Sequence, residues 1–122
     1  MKKVMVVDDE ADLREMINLM MDKEGYESEM ACDGADFLEK IDQFHPDLVT
    51  LDVMMPGLET KEILEKLKEK KTNSKIILLT VVKFSDEEKE GILKMGNVVD
   101  YVTKPFDLDT LMNTVKKHLN EQ

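Results

Sequence analysis

Four places along this 122-residue chain carry side chains of the types that handle phosphate and a hard cation. Asp52 closes the apolar run Leu48-Val49-Thr50-Leu51, and the turn signal Pro56-Gly57 follows closely. Asp8, Asp9 and Glu10 close a second apolar run, Thr80 ends a third, and Lys104-Pro105 follows a fourth. If those runs are parallel strands, all these groups share the rim where open α/β sheets bind ligands. Crowded carboxylates repel one another by about 4 kcal/mol per pair at 4 Å and an effective dielectric near 20. A structural network would relieve that with arginine, yet Arg14 is the only arginine in the chain. A divalent cation is the cheaper remedy, and magnesium is usually held by one or two carboxylates plus water. With one lysine it brings three carboxylates near neutrality. Phosphoryl oxygens would then meet Mg²⁺, Lys104 and the Thr80 hydroxyl, as phosphoryl transfer requires.

The elements that must position these groups are legible as alternating runs. Lys3 to Val7 reads as a first strand, Glu10 to Lys23 as a helix with Leu13, Met16, Ile17, Met20 and Met21 on one face, closed by Gly25. Tyr26 to Ala31 alternates polar and apolar residues, which predicts an edge strand. Asp33-Gly34 reads as a turn, and Phe37, Leu38, Ile41 and Phe44 define a helix that stops before Pro46. A third helix covers about Thr60 to Lys70, a strand Lys75 to Val82 ends near Thr80, and a short charged helix runs from Asp86 to Met95 with Ile92, Leu93 and Met95 inward. Val98 to Thr103 is the fifth strand, and Leu108 to Leu119 the fifth helix. Strands alternating with helices predict an α/β fold with a parallel sheet covered on both faces. Right-handed crossovers and a wet second strand predict the order 2-1-3-4-5.

Composition narrows the function classes. Hydrophobic content of 42% and charged content of 36% suit a soluble globular domain, expected to span 1–122 as one unit. A net charge of -10 repels phosphate backbones, so direct nucleic-acid binding is not expected. The lone Cys32 excludes an internal disulfide and reads as a half-buried strand residue. No run reaches membrane-spanning length, and the apolar run ended by Asp8 is too short for a signal peptide, so the expected location is cytoplasmic. The methionines read as core packing. The basic run Lys66, Lys68, Lys70, Lys71 and Lys75 reads as a solvated helix end favoured by the macrodipole. His45 and His118 are a loop residue and a helix-end cation.

Taken singly, each candidate has a structural reading: a strand terminator or cap for Asp52, an ordinary β-branched strand residue for Thr80, packing for Tyr101, a solvated loop lysine for Lys104, a gap filler for Met54. Taken in order, the pieces Val6-Val7-Asp8-Asp9-Glu10, Leu51-Asp52-Val53-Met54-Met55-Pro56-Gly57, Leu79-Thr80 and Asp100-Tyr101-Val102-Thr103-Lys104-Pro105-Phe106 resemble a response-regulator receiver domain of the chemotaxis type, from Lys3 to about Leu119. The resemblance implies a flavodoxin-like receiver fold with five helices on the two faces of the sheet. It implies that Asp52 accepts a phosphoryl group from a sensor histidine kinase or phosphotransfer protein in a two-component system. Asp9 and Asp52 would bind Mg²⁺ directly, Asp8 directly or through water, and Met54 through its backbone carbonyl. Lys104 would contact the phosphoryl group, with a cis bond to Pro105. Thr80 and Tyr101 would be the switch pair, and the surface of helix 4, strand 5 and helix 5 would meet a downstream effector.

Some residues depart from that family. Val81 stands where a small residue is usual and should narrow access to Asp52, slowing small phosphodonors. Met54 and Val82 occupy tuning positions and cannot orient a water by hydrogen bonding, so a long-lived phosphorylated state is expected. Glu59-Thr60 replaces an acid-glycine pair, and the segment Gly96 to Asp100 is one residue longer than the family pattern, which should displace helix 4. Two rivals stand beside the receiver. A haloacid-dehalogenase-type phosphohydrolase needs a second acid two residues after its nucleophile, where Met54 stands. A pseudo-receiver serving only as an interaction module predicts loss of pocket acids, and none is lost.

Overall fold

A computed structural model describes residues 1–53, 60–81, 85–94 and 97–119. Its strands are β1 (Lys3–Val7), β2 (Glu27–Ala31), β3 (Leu48–Asp52), β4 (Lys75–Thr80) and β5 (Val98–Thr103). Its helices are α1 (Ala11–Lys23), α2 (Gly34–Phe44), α3 (Thr60–Lys70), α4 (Asp86–Leu93) and α5 (Leu108–Leu119). All strand pairs are parallel, in the order β2-β1-β3-β4-β5, as expected for this alternation. The central strands β1, β3 and β4 are almost wholly buried because helices cover both faces. Met5, Val7, Val49, Leu51 and Leu78 point into one core with Phe37, Ile41, Ile63 and Leu67 of α2 and α3. Val4, Val6, Leu48, Ile77 and Leu79 point into the other, with Ile17 and Met21 of α1 and Leu111 and Val115 of α5.

Local chemistry fixes the helix ends. The Asp33 side chain accepts the Asp36 N–H at 2.8 Å while Asp36 accepts the Cys32 N–H at 3.0 Å. Asp33-Gly34, expected as a turn, is therefore the cap and first residue of α2. Cys32, expected half-buried in a strand, is exposed just beyond β2, because this capping takes its backbone out of the ladder. Ser85 and Glu88 exchange reciprocal bonds of 3.2 and 3.0 Å, a capping box that starts α4. Gly25, at φ +91, ends α1 where a side chain would be strained.

Two inward assignments are corrected. Met16 is 49% exposed, since it stands about 120° off the stripe centred on Ile17 and Met21. Leu93 is 46% exposed, because α4 packs chiefly on β5 and leaves its end uncovered. Met95 and the side chain of Ile92 lie outside the described residues, as do Glu59 and the side chain of Thr60. β2 begins one residue later than expected, at Glu27, and β4 ends at Thr80, as expected.

The long segment before β5 has a specific outcome. Ile76 pairs with Val98 and Ile77 with Asp100, which leaves Val99 as the extra residue of a β-bulge. A regular strand would send Val98 and Tyr101 to opposite faces, since they are three apart. With the bulge both face the α2–α3 core, while Val99 and Val102 face the α1–α5 core. Asp100 holds this corner: one oxygen accepts the Tyr101 N–H at 2.8 Å and the other meets His118 Nε2 at 2.9 Å.

Candidate functional site

The carboxyl ends of β1, β3, β4 and β5 converge, because parallel pairing runs Val7 beside Leu51, Asp52 beside Leu79 and Thr80 beside Thr103. Oxygen atoms of Asp8, Asp9 and Asp52 all lie within 4.8 Å of one another. Asp8 and Asp52 are buried and Asp9 is exposed, which gives the cluster a floor and an open lip. Lys104 reaches in from the loop after β5, its Nζ 3.4 Å from Asp52 Oδ1 and 3.6 Å from Asp8 Oδ2. The Lys104 N–H donates to the Thr80 carbonyl at 2.6 Å, fixing the lysine beside fully buried Thr80. The Lys104–Pro105 peptide is cis.

Arg14 does not neutralise the acids. Its Nη1 donates to the backbone carbonyl of Asp8 at 2.8 Å and leaves the carboxylate to other partners. Asp8 Oδ1 accepts the Glu10 N–H at 2.9 Å. Asp8 Oδ2 is buried and accepts no hydrogen bond among the described residues, with Lys104 as its nearby cation. Burial is the main reason the Asp8 carboxyl titrates above its ordinary range, with the Asp52 charge adding to it and the Glu10 N–H and Lys104 opposing it. Glu10 itself is exposed and serves α1 as N-cap; its side chain is not in the cluster.

Three carboxylates with one lysine leave a surplus of two negative charges. The donors are all hard oxygen atoms, one of them orphaned. Such a set fits a small hard dication like Mg²⁺ in charge and in ligand type. Thr80 lies one residue past the Leu79–Asp52 pair, and Tyr101 is half-buried against the α2–α3 core. Val81, at 55% exposure, stands outward just after Thr80. Met54 and Val82 lie outside the described residues. Sequence reasoning missed the Arg14 anchor and the Asp100–His118 pair. Both depend on partners brought together only by folding, whereas Ser85-x-x-Glu88 was a readable capping signal.

Residues 4–116 match the family model of the response regulator receiver domain. The chain is 34% identical over 118 residues to sporulation initiation phosphotransferase F of Bacillus subtilis (strain 168), covering 97% of this chain and 94% of that protein. Among solved structures it resembles chemotaxis protein CheY4 of Vibrio cholerae, with a TM-score of 0.86, 30% identity and coverage of 98% and 99% of the two chains. It also resembles response regulator protein TrrA from Thermotoga maritima, solved in complex with Mg(2+)-BeF, with a TM-score of 0.79, 38% identity and coverage of 98% and 100%.

Proposed function

The chain belongs to the response regulator receiver family and is a receiver domain of a two-component system, and from that premise we propose that Asp52 is its phosphoacceptor. Receivers of this family exchange signals with histidine kinases or phosphotransfer proteins and pass them to downstream effectors. They are phosphoacceptors in the first place, not classical enzymes. The observation that carries the assignment is the meeting of Asp8, Asp9 and Asp52 within 4.8 Å, with Lys104 reaching two of them.

Asp8, Asp9 and Asp52 would hold Mg²⁺, together with the carbonyl of Met54. Bound there, the ion supplies charge neutralisation for the incoming phosphoryl oxygens. An Asp52 carboxylate oxygen forms the new bond to phosphorus as the phosphorus–nitrogen bond of a phosphohistidine breaks, its electron pair returning to the imidazole. Lys104 moves from pairing Asp8 and Asp52 to holding a phosphoryl oxygen, a group for which its single charge is suited. The Thr80 hydroxyl binds another, and Tyr101 turns with it, shifting a two-state equilibrium at α4, β5 and α5. Met54 and Val82 offer no side-chain hydrogen bond to a water, so the phosphorylated form is long-lived. The whole stretch 1–122 acts as one receiver unit, in the cytoplasm.

The test is intact mass after incubation with Mg²⁺ and a small phosphodonor such as acetyl phosphate. The wild-type chain gains one phosphoryl group, while Asp52→Asn gains none and chelation abolishes the gain. Labelling of Asp52→Asn to the wild-type level removes the assignment. Steady turnover of a small phosphate ester favours the phosphohydrolase, and no labelling with no response to Mg²⁺ favours a pseudo-receiver. In the same assay Val81→Ala labels several-fold faster than wild type; an unchanged rate removes the role of Val81 as a screen at the pocket mouth.

A further inference from the structure

Asp8 stands at the base of the acidic cluster, and most of its polar atoms are already committed. Its N–H donates to the Ala31 carbonyl at 3.2 Å, tying it to the end of β2. Its Oδ1 accepts the Glu10 N–H at 2.9 Å, and its carbonyl accepts Arg14 Nη1 at 2.8 Å. Oδ2 is what remains, buried and 3.6 Å from Lys104 Nζ. The Asp8 carbonyl belongs to the planar peptide that joins the two neighbouring acids, so its direction sets the plane from which Asp9 departs. Strand pairing ends at Val7, beside Ala31 and Leu51, and just past that end the guanidinium is the partner of this carbonyl. Arg14 is itself fixed in the first turn of α1, where its N–H donates to the Glu10 carbonyl at 3.0 Å. Its half-buried side chain reaches back six residues, so α1 grips the turn that carries both acids.

We propose that Arg14 is a positioning residue for the cation: by holding the Asp8 carbonyl it fixes the Asp8–Asp9 peptide and so presents Asp8 and Asp9 together to a divalent ion. The proposal deepens the Mg²⁺ reading above and rests on it. Arg14 acts through its hydrogen bond and not through its charge, which by itself would repel a dication. The two effects have opposite signs, so they can be told apart. A partner that orients a metal ligand without touching the metal is worth roughly 10–100-fold in affinity when it is removed. A bond to the ligand's own backbone, one step from the carboxylate, belongs at the lower end of that range.

The test compares the full wild-type chain with Arg14→Met, which keeps an aliphatic stem and loses the donor, and with Arg14→Lys, whose ammonium can make the same single bond. Mg²⁺ is titrated at constant ionic strength and followed by backbone amide NMR shifts. Arg14→Met binds Mg²⁺ about tenfold more weakly, and Arg14→Lys recovers to within about threefold of wild type. In the metal-free protein the Glu10 amide exchanges faster with water in Arg14→Met and not in Arg14→Lys. The amides of β3 exchange as before in both, which a general loss of stability would not allow. Tighter Mg²⁺ binding by Arg14→Met, equal weakening by the two variants, or exchange that rises alike at Glu10 and across the sheet would each overturn the proposal. If the wild type binds Mg²⁺ and Arg14→Met binds it equally well, the proposal falls and the metal reading stands. If none of the three chains binds Mg²⁺, the metal reading falls and takes the proposal with it.

Discussion

Asp8 shows how a single side chain can oppose the fold it belongs to. Its carboxyl titrates above the ordinary value of 3.8, so between that value and its own the folded chain holds more protons than the unfolded one. Stability therefore falls as pH rises through that window, and the deficit persists at neutral pH. Asp8→Asn, which keeps the acceptor for the Glu10 N–H, is expected to stabilise the metal-free protein at pH 7 by on the order of 1 kcal/mol. The gain should disappear as the pH drops below the ordinary carboxylate range and reverse with saturating Mg²⁺. Denaturant melts of both proteins under the three conditions check this; a destabilised Asn variant at pH 7 without metal contradicts it. Asp8, Asp9, Asp52, Thr80 and Lys104 could be picked out in advance because each ends or follows an apolar run, and parallel pairing does the rest. The partner of Arg14 could not. A guanidinium that serves a backbone carbonyl leaves no trace in residue types.

Among the elements, α4 is the weakest built. It begins on a capping box but carries Gly91 within its eight residues and leaves Leu93 uncovered. A Cβ at Gly91 would meet nothing within 4 Å, and its φ is not in the left-handed region. Gly91→Ala should therefore stabilise α4 by about 0.5–1 kcal/mol. Slower amide hydrogen exchange in 86–93, with other helices unchanged, is the expected readout; faster exchange there would contradict it. Helices α1, α2, α3 and α5 were legible from apolar spacing, since each lies on a core that enforces it. The inward reading of Leu93 failed because α4 rests chiefly on an edge strand, where spacing has less to answer to. The basic run around α3 was read as a helix end, and the structure divides it: Lys70 pairs with Asp42 of α2 at 2.7 Å, while Lys75 donates to the His118 carbonyl at the end of α5 at 2.6 Å.

For the molecule as a whole, the acidic rim couples cation binding to stability. A dication that binds only the folded state, at about one hundred times its Kd, stabilises by about 2.7 kcal/mol. Thermal melts of the wild type should rise with Mg²⁺ and saturate, and Asp52→Asn should blunt the rise. A melting temperature that rises no more with Mg²⁺ than with sodium chloride of matched ionic strength would reduce the effect to screening of the -10 net charge. The two-faced sheet was legible because one covering rule explains every buried strand, whereas the bulge at Val99 was not, since an extra residue can be absorbed in many places. That bulge makes chain length a matter of odd and even. Losing one residue within 98–100 would leave the paired stretch from Asp100 to Thr103 in place and turn over only what precedes it, Val98 first. Lys104 follows the regular stretch that ends with Thr103 beside Thr80, so a lineage that sheds the extra residue keeps its hold on Asp52 and alters only how the chain enters from α4.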